Sequence, residues 1–392
     1  ANTINVVMEP DVAILDAVVV TALGIKRKED AIATAYDVVD SEELTRANNP
    51  NVVNALTGKV SGLQIKQTSN GVTGENRIIL RGNRSISGNN EALIVIDGAI
   101  SNASYLASIN PNMVESTNVI KGPAGAALYG SQGSNGVIIV TTKKGAEGEK
   151  MKVTTTSVLD FESVAFVPER QTRYGQGWAL GNGFEHLTYE NGGWGPEFDG
   201  QMAIVGLPQA DGSYIMAPWS SRGAYHIKDF FETGTTLQNS VTIASGDEES
   251  YATFSARNRQ TDFVIENDKL TNSSFTFNAG KTLGNWTIGG NATYSYTATE
   301  ESYAGLATEG IYMMLLQTAS NIPVEQFENS GNEGHWNAYY MNPYWVRDNR
   351  RRERDVNRFN LLADVGYKIN DNISVHKDML HLYDLYFLAK AF

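Results

Sequence analysis

Residues 118–145, NVIKGPAGAALYGSQGSNGVIIVTTKKG, join a glycine-dense turn directly to a run of β-branched residues. Gly122, Gly125, Gly130, Gly133 and Gly136 permit positive φ and close approach of neighbouring backbone. Val137, Ile138, Ile139, Val140, Thr141 and Thr142 then predict a buried strand. The stretch reads as a packed structural element rather than a catalytic loop. A phosphate-cradling loop is disfavoured because GPAGAALYG has no GK[ST] ending and Lys121 precedes the glycines instead of following them.

Working outward, residues 30–148 read as one compact α+β domain. Asp40, Ser41 and Glu43 precede a short helix, and residues 51–60 predict a second, amphipathic helix with Val52, Val53, Leu56 and Val60 on one face. A strand follows Gly62. Residues 77–82 predict an alternating strand with Arg77 and Arg81 near its ends and Gly82 after it. ALIVIDG, at 92–98, is an apolar strand ended by the Asp97-Gly98 turn. Asp97 there is read as turn chemistry rather than as an enzymatic carboxylate. Residues 109–115 form a capped turn into the next strand.

Composition sets the outer limits. A chain of 392 residues suits two or three soluble domains, but 10% aromatics, 37 glycines and 18 tyrosines also suit a transmembrane β-barrel. No apolar stretch approaches the roughly 20 residues of a spanning helix. No basic, apolar leader opens the chain, so Ala1 is not read as the start of a secretory precursor. Zero cysteines fit an oxidising periplasm, as they fit many cytosolic proteins. A net charge of -13 argues against nucleic acid as a partner.

After residue 149 the texture changes to long alternating strands split by uneven loops. Phe275, Phe277 and Ala279 share one face of a strand, and Trp286, Ile288, Gly290, Ala292, Tyr294 and Tyr296 continue it on a hairpin partner across Gly284 and Asn285. A water-lined barrel wall and a soluble β-sandwich both give this alternation. His186, His226, His335, His376 and His381 lack metal-ligand spacing and no GxSxG element occurs. No catalytic residues, metal or cofactor are therefore predicted.

In this order, RGNRSI, LIVIDG, INPNMVESTNVIKGPAGAALYG and NGVIIVTTKKG resemble the plug domain of the SusC/RagA branch of TonB-dependent outer-membrane transporters. WGPEFDG, DFFETGTTLQNSVTIASG and MNPYWVRDNRRRERDVNRF resemble barrel segments of the same family. The resemblance implies a remnant of an N-terminal β-sandwich extension at 1–14, a TonB box at 15–24, the plug at 30–148 and a partial antiparallel transmembrane β-barrel with long loops at 149–392.

Residue by residue, the resemblance places TonB binding on Asp16, Ala17, Val18, Val19, Val20 and Thr21. Alone, this valine run is an ordinary edge strand; before a plug it suits pairing with a partner's sheet. The plug motif falls on Arg77, Arg81, Gly82, Asp97, Gly98, Gly122, Pro123, Gly130 and Gly136. Arg77, Arg81 and Arg84 are expected to ion-pair with acidic residues of a barrel wall, an anionic solute being the other reading. Trp178, Trp194, Trp219 and Trp345 are expected to contact ligand or a lid protein, with an interfacial girdle as the alternative. Arg350, Arg351, Arg352 and Arg354 are expected in a solvated turn, acidic lipid head groups being the alternative.

The implied function is TonB-dependent import of glycans or peptides across the outer membrane of a Bacteroidetes-like bacterium, with a SusD-like lipoprotein as lid. Partners would be TonB, that lipoprotein, outer-membrane lipid and an oligosaccharide or peptide ligand. A non-transporting SusC-like structural or assembly subunit is the rival, and a soluble two-domain carbohydrate-binding protein a third reading. Large plugged barrels use about 22 strands of about 9–11 residues each. About seven strands are recognisable here, too few to close such a barrel, and residues 377–392 look foreign to the expected next strand.

Overall fold

The computed structural model describes residues 18–20, 26–28, 36–46, 49, 51–67, 72, 76–86, 88–143, 151–181, 183–247, 249–303, 310–329, 337–370 and 373–387. The expected sandwich remnant at 1–14 lies outside them. The chain divides into two compact units, Ala1–Lys66 with Asn76–Lys143, and Gln67–Glu75 with Lys144–Phe392.

In the first unit, β1 (Val18–Val20) pairs antiparallel with β2 (Lys26–Lys28). Next come β3 (Tyr36–Asp40), α1 (Ser41–Thr45), α2 (Val52–Ala55), β4 (Leu63–Gln67), β5 (Asn76–Leu80), β6 (Leu93–Ile96), β7 (Ala99–Ser101), α3 (Ala103–Ser108), β8 (Val114–Ile120), α4 (Pro123–Tyr129) and β9 (Val137–Thr142). Asp40 caps α1 by accepting from the Glu43 amide at 2.7 Å, and Asn51 caps α2 through the Val53 amide at 2.9 Å. The second helix is shorter than its hydrophobic pattern predicts. It stops before Gly58, whose φ of 77° breaks the helical run, although Val52, Val53, Leu56 and Val60 are all buried. β5 also departs from alternation, with Ile78, Ile79 and Leu80 all buried.

A five-stranded sheet, ordered β3-β8-β9-β6-β7, organises this unit. β9 lies inside it, antiparallel to β8 and parallel to β6. Its alternate residues feed different cores: Ile138 and Val140 pack with Val39, Leu44, Leu56 and Leu106, whereas Val137 and Ile139 pack with Val95 and Ile120. A strand covered on both faces needs a continuous apolar run, which is why VIIV lacks polar alternation.

The glycines preceding β9 serve close packing. A Cβ on Gly125 would stand 2.4 Å from the Gly133 carbonyl oxygen, and one on Gly133 would stand 2.3 Å from that of Gly125. At the Asp97-Gly98 turn, φ values of 48° and 86° join Ile96 to Ala99 in a two-residue hairpin. The Asp97 carboxylate also accepts from the Thr142 amide at 2.8 Å and hydroxyl at 2.7 Å, tying the turn to β9.

The second unit contains β10 (Lys152–Glu162), two small hairpins β11 (Trp178–Leu180) with β12 (Gly183–Glu185) and β13 (Met202–Val205) with β14 (Ile215–Pro218), then β15 (Gly234–Gly246), β16 (Ser250–Asp262), β17 (Lys269–Leu283), β18 (Trp286–Ser302), α5 (Ile311–Leu316), α6 (Pro343–Asn349), β19 (Arg351–Asn370) and β20 (Ile373–Phe387). Seven long strands form one antiparallel sheet, β10-β15-β16-β17-β18-β19-β20. β20 runs through the text that looked foreign and pairs with β19 from Asn370↔Ile373 to Asp355↔Phe387.

The polarity of this sheet is inverted relative to a soluble core. Phe161, Leu237, Phe254, Phe275, Phe277, Ile288, Phe359 and Leu361 are among its exposed side chains, while Gln238, Thr253, Ser255, Asn272, Ser274, Asn278, Thr293 and Asn360 are buried. A soluble sandwich buries the first set and exposes the second. Bulky apolar side chains facing outward over consecutive strands, with hydrogen-bonding side chains inward, match a membrane-facing barrel wall. Inner-face polar groups partner one another, as where Arg257 donates to Asn272 at 2.5 Å and Asn272 donates to Thr297 at 2.8 Å.

The Gly125–Gly133 contact yields a test. Gly125→Ala should lower the stability of the first unit by about 1–3 kcal/mol, as overpacking against fixed backbone does. The measurement is the urea midpoint, which should fall at unchanged slope.

Candidate functional site

The connections of the seven-stranded sheet alternate in length. The turns at 247–249 and 284–285 are short, and only two residues separate β19 from β20, whereas the connections at 163–233, 263–268 and 303–350 lie at the opposite end. In outer-membrane barrels, short turns face the periplasm and long loops face outside. The long connections here pack a hydrophobic core of their own: Val167, Val205, Ile215, Trp219, Ile227 and Phe230 meet Ile265 from the second connection and Ile311, Met314, Ile322, Phe327 and Val346 from the third. That core makes the loops a fixed platform.

Polar side chains knit the platform. Gln176 is buried, donates to the Thr188 and Glu190 carbonyls at 2.9 and 2.8 Å, and accepts from the Gly206 amide at 3.1 Å. Its own amide donates to Asn321 at 2.9 Å. The Arg170 guanidinium donates to the Leu316 and Thr318 carbonyls, bridging the first and third connections. Arg347 on α6 gathers carboxylates from both later connections: Glu266, Glu328 at 3.1 Å and its neighbour Asp348 at 2.7 Å. Motif reading overlooks Gln176, Asn321, Arg170 and Arg347, because their role comes from long-range placement and no local spacing signals it.

The tryptophans divide. Trp219 is 5% exposed, its ring 4.3 Å from His186 and 6.0 Å from Phe198, and it covers Gly175 so closely that a Cβ there would stand 2.3 Å from it. Burial therefore makes Trp219 a core anchor, in contrast to the contact role expected of it. Trp345 packs partly against the core with Arg350 over its ring at 6.0 Å. Trp178 and Trp194 are about half exposed, at 47% and 51%. Near Trp194, Tyr174 stacks on Phe184 at 5.5 Å and lies 6.4 Å from the Trp194 ring. Together these rings give the platform an exposed aromatic face.

The basic cluster differs from a solvated turn. Arg351 and Arg352 open β19, where Arg351 reaches Asp268 at 3.5 Å and Arg352 pairs with Glu301. Asp268 also accepts from the Ser302 amide at 2.7 Å and hydroxyl at 3.0 Å, and burial pushes its carboxyl up to about 6. Burial, aided by the Arg170 charge, lowers His226 to about 4.

In the first unit, Arg77 pairs with Glu91 at 3.3 Å, within its own domain. Arg81, at a φ of 59°, donates its amide to the Gly62 carbonyl at 2.8 Å. Arg84 donates its amide to Asn90 at 2.8 Å and its guanidinium to the Ser134 carbonyl. The described contacts of these arginines thus organise the domain itself. Gly122, Gly130 and Gly136 have φ of 72°, 65° and 100°, and Pro123 occupies the first position of α4. Of the residues expected to bind TonB, Val18, Val19 and Val20 form β1, whereas Asp16, Ala17 and Thr21 lie outside the described residues.

Comparison with known proteins gives a consistent picture. The family described as the TonB-dependent Receptor Plug Domain matches residues 28–137. TonB-dependent receptor SusC of Bacteroides thetaiotaomicron is 33% identical over 218 residues, covering 54% of this chain and 21% of that protein. TonB-dependent receptor P39 of Formosa agariphila is 36% identical over 173 residues, covering 44% of this chain and 16% of that protein. The chain thus aligns with about a fifth of the length of these relatives. The structure of the RagAB peptide importer in the open-open state superposes with a TM-score of 0.66 over 92% of this chain and 42% of that one, at 17% identity. That likeness establishes the fold.

Protonation of His226 tests the platform. Its folded value is depressed from 6.5, so its contribution to stability is fully present above pH 6.5 and is lost as pH falls toward about 4. The loss amounts to about 3 kcal/mol if the whole shift is realised. Limited proteolysis of the 163–233 connection should accelerate between pH 7.5 and pH 5, and His226→Leu should abolish that dependence.

Proposed function

We propose, on the premise that this chain carries the plug and barrel-wall strands of a SusC-like TonB-dependent receptor, that it serves energised import of large nutrients across the outer membrane. The observation carrying this reading is the coexistence of a plug-family domain at 28–137 with a sheet whose apolar side chains face outward. A plug has a use only within a membrane pore, and the inverted sheet has the polarity of a pore wall. The role is transport, with no reaction to catalyse and no cofactor.

Within this proposal, residues 15–24 are the TonB box, residues 30–148 the plug and residues 149–392 barrel wall with outward loops. Asp16, Ala17, Val18, Val19, Val20 and Thr21 pair with TonB by β-augmentation. Support comes from β1, already extended and already hydrogen-bonded along one edge to β2. Exchanging that short pairing for a partner's strand costs few bonds, and backbone hydrogen bonds then carry the pull. Trp178 and Trp194 offer their exposed faces to ligand or to a SusD-like lipoprotein lid, and Trp345, partly buried against the loop core, contributes to the same role. The ligand class is an oligosaccharide or a peptide; the named relatives include a SusC receptor and a peptide importer.

Deleting Asp16–Thr21 from the chain in its natural full-length context tests this reading. Uptake should fall to the level of de-energised cells while the amount of protein in the outer membrane is unchanged. Val19→Pro, which removes one amide donor from the strand, should weaken uptake in the same direction. Undiminished uptake by the deletion protein would overturn energised import and leave the structural-subunit role.

A further inference from the structure

The outward face of the seven-stranded sheet is not uniformly bulky. Cross-strand register aligns Ala252 with Ala279, Ala279 with Gly290, and Gly290 with Ala363. These small residues floor a recess of about 1020 Å³. On the side away from the short turns it is walled by Phe277 and Leu361, which flank Ala292 in the adjoining register row. On the turn side the next row brings Lys281 beside Ile288. Three interstrand steps of about 4.8 Å carry the floor about 14 Å across the strands.

The turn end of the recess carries both charges. Lys281 lines it and is exposed. Asp247 and Ser250 line it from the 247–249 turn. The Asp247 carboxylate is fixed in place because Oδ1 accepts from the Glu249 amide at 2.9 Å, the Ser250 amide at 2.7 Å and the Ser250 hydroxyl at 3.1 Å. An ammonium and a preorganised carboxylate beside one apolar trough complement a zwitterionic head group attached to a hydrocarbon chain.

We infer that this recess is a binding site for a zwitterionic phospholipid, phosphatidylethanolamine, in the leaflet facing the short turns. Lys281 takes the phosphate, Asp247 takes the ethanolamine ammonium, and an acyl chain lies along Ala252, Ala279, Gly290 and Ala363. A bulky side chain in the floor row would fill the trough, which explains why four adjacent strands present Ala or Gly there while neighbouring rows present Phe, Ile and Leu. The inference rests on the reading that this face meets lipid.

The test is native mass spectrometry of the natural full-length protein extracted from membranes into mild detergent and exchanged against phosphatidylethanolamine or phosphatidylglycerol. Wild type should retain one phosphatidylethanolamine more strongly than phosphatidylglycerol. Ala279→Phe and Lys281→Glu should each weaken retention about tenfold, equivalent to about 1.4 kcal/mol. Val153→Phe, on the exposed face of β10 outside the recess, should leave retention unchanged and so controls for folding. Equal retention of the two lipids, retention untouched by Ala279→Phe, or a protein dimer lost on that substitution in place of a lipid adduct would each overturn the site. The membrane fraction of the same preparations separates the two claims: membrane-embedded protein without the adduct removes the lipid site alone, whereas soluble protein removes the barrel-wall reading with it.

Discussion

Everything in the second unit depends on the direction in which its strands turn their apolar side chains. Backbone amides and carbonyls in hydrocarbon must be paired within the protein, and a continuous antiparallel sheet does this for all residues between its edges. Side chains then partition by period two. Phe275, Phe277 and Leu283 face outward while Ser274, Asn278 and Arg257 are buried. The outward face would be a large aggregation-prone patch in water. In lipid it is the favourable one.

The first unit solves a different problem with similar economy. β9 is shared between two small hydrophobic cores, so it tolerates no polar residue from Val137 to Val140, and the Gly125–Gly133 contact allows α4 to lie against the turn preceding that strand. Asp97 then joins the β6–β7 hairpin to the end of β9 through Thr142. At the long-connection end of the sheet, a third core and the Arg347 carboxylate cluster hold the loops together. Exposed Trp178 and Trp194 therefore stand on an ordered base, which would lower the entropy lost on binding the proposed partner or ligand.

Local patterns made much of this legible. The glycine-rich turn and VIIV run identified β9, Asp97-Gly98 identified the turn that ends β6, and Gly284-Asn285 with flanking aromatics identified β17 and β18 with the turn between them. What escaped was set by distance. Nothing near Gln176 or Arg170 signals that partners lie more than a hundred residues away, and Trp219 looks like any loop tryptophan until Gly175 and His186 close over it. Alternation alone also left the sheet's environment open, since period two is the same whether the apolar face points inward or out. Residues 377–387 looked foreign because their text lacks family resemblance, yet pairing to β19 requires only an extended chain in register.

The central claim is that the apolar face of the sheet lies against lipid. These 392 residues contain no cysteine; in the natural full-length protein, with any cysteine outside them replaced by serine, single cysteines at positions 275 to 279 can be spin-labelled and their collision rates with oxygen and with a water-soluble nickel chelate compared in membranes. The account predicts a period of two, with labels at Phe275, Phe277 and Ala279 favouring oxygen and those at Thr276 and Asn278 not. Strong contact with the nickel chelate at Phe275 and Phe277 would contradict it, because that face would then be in water.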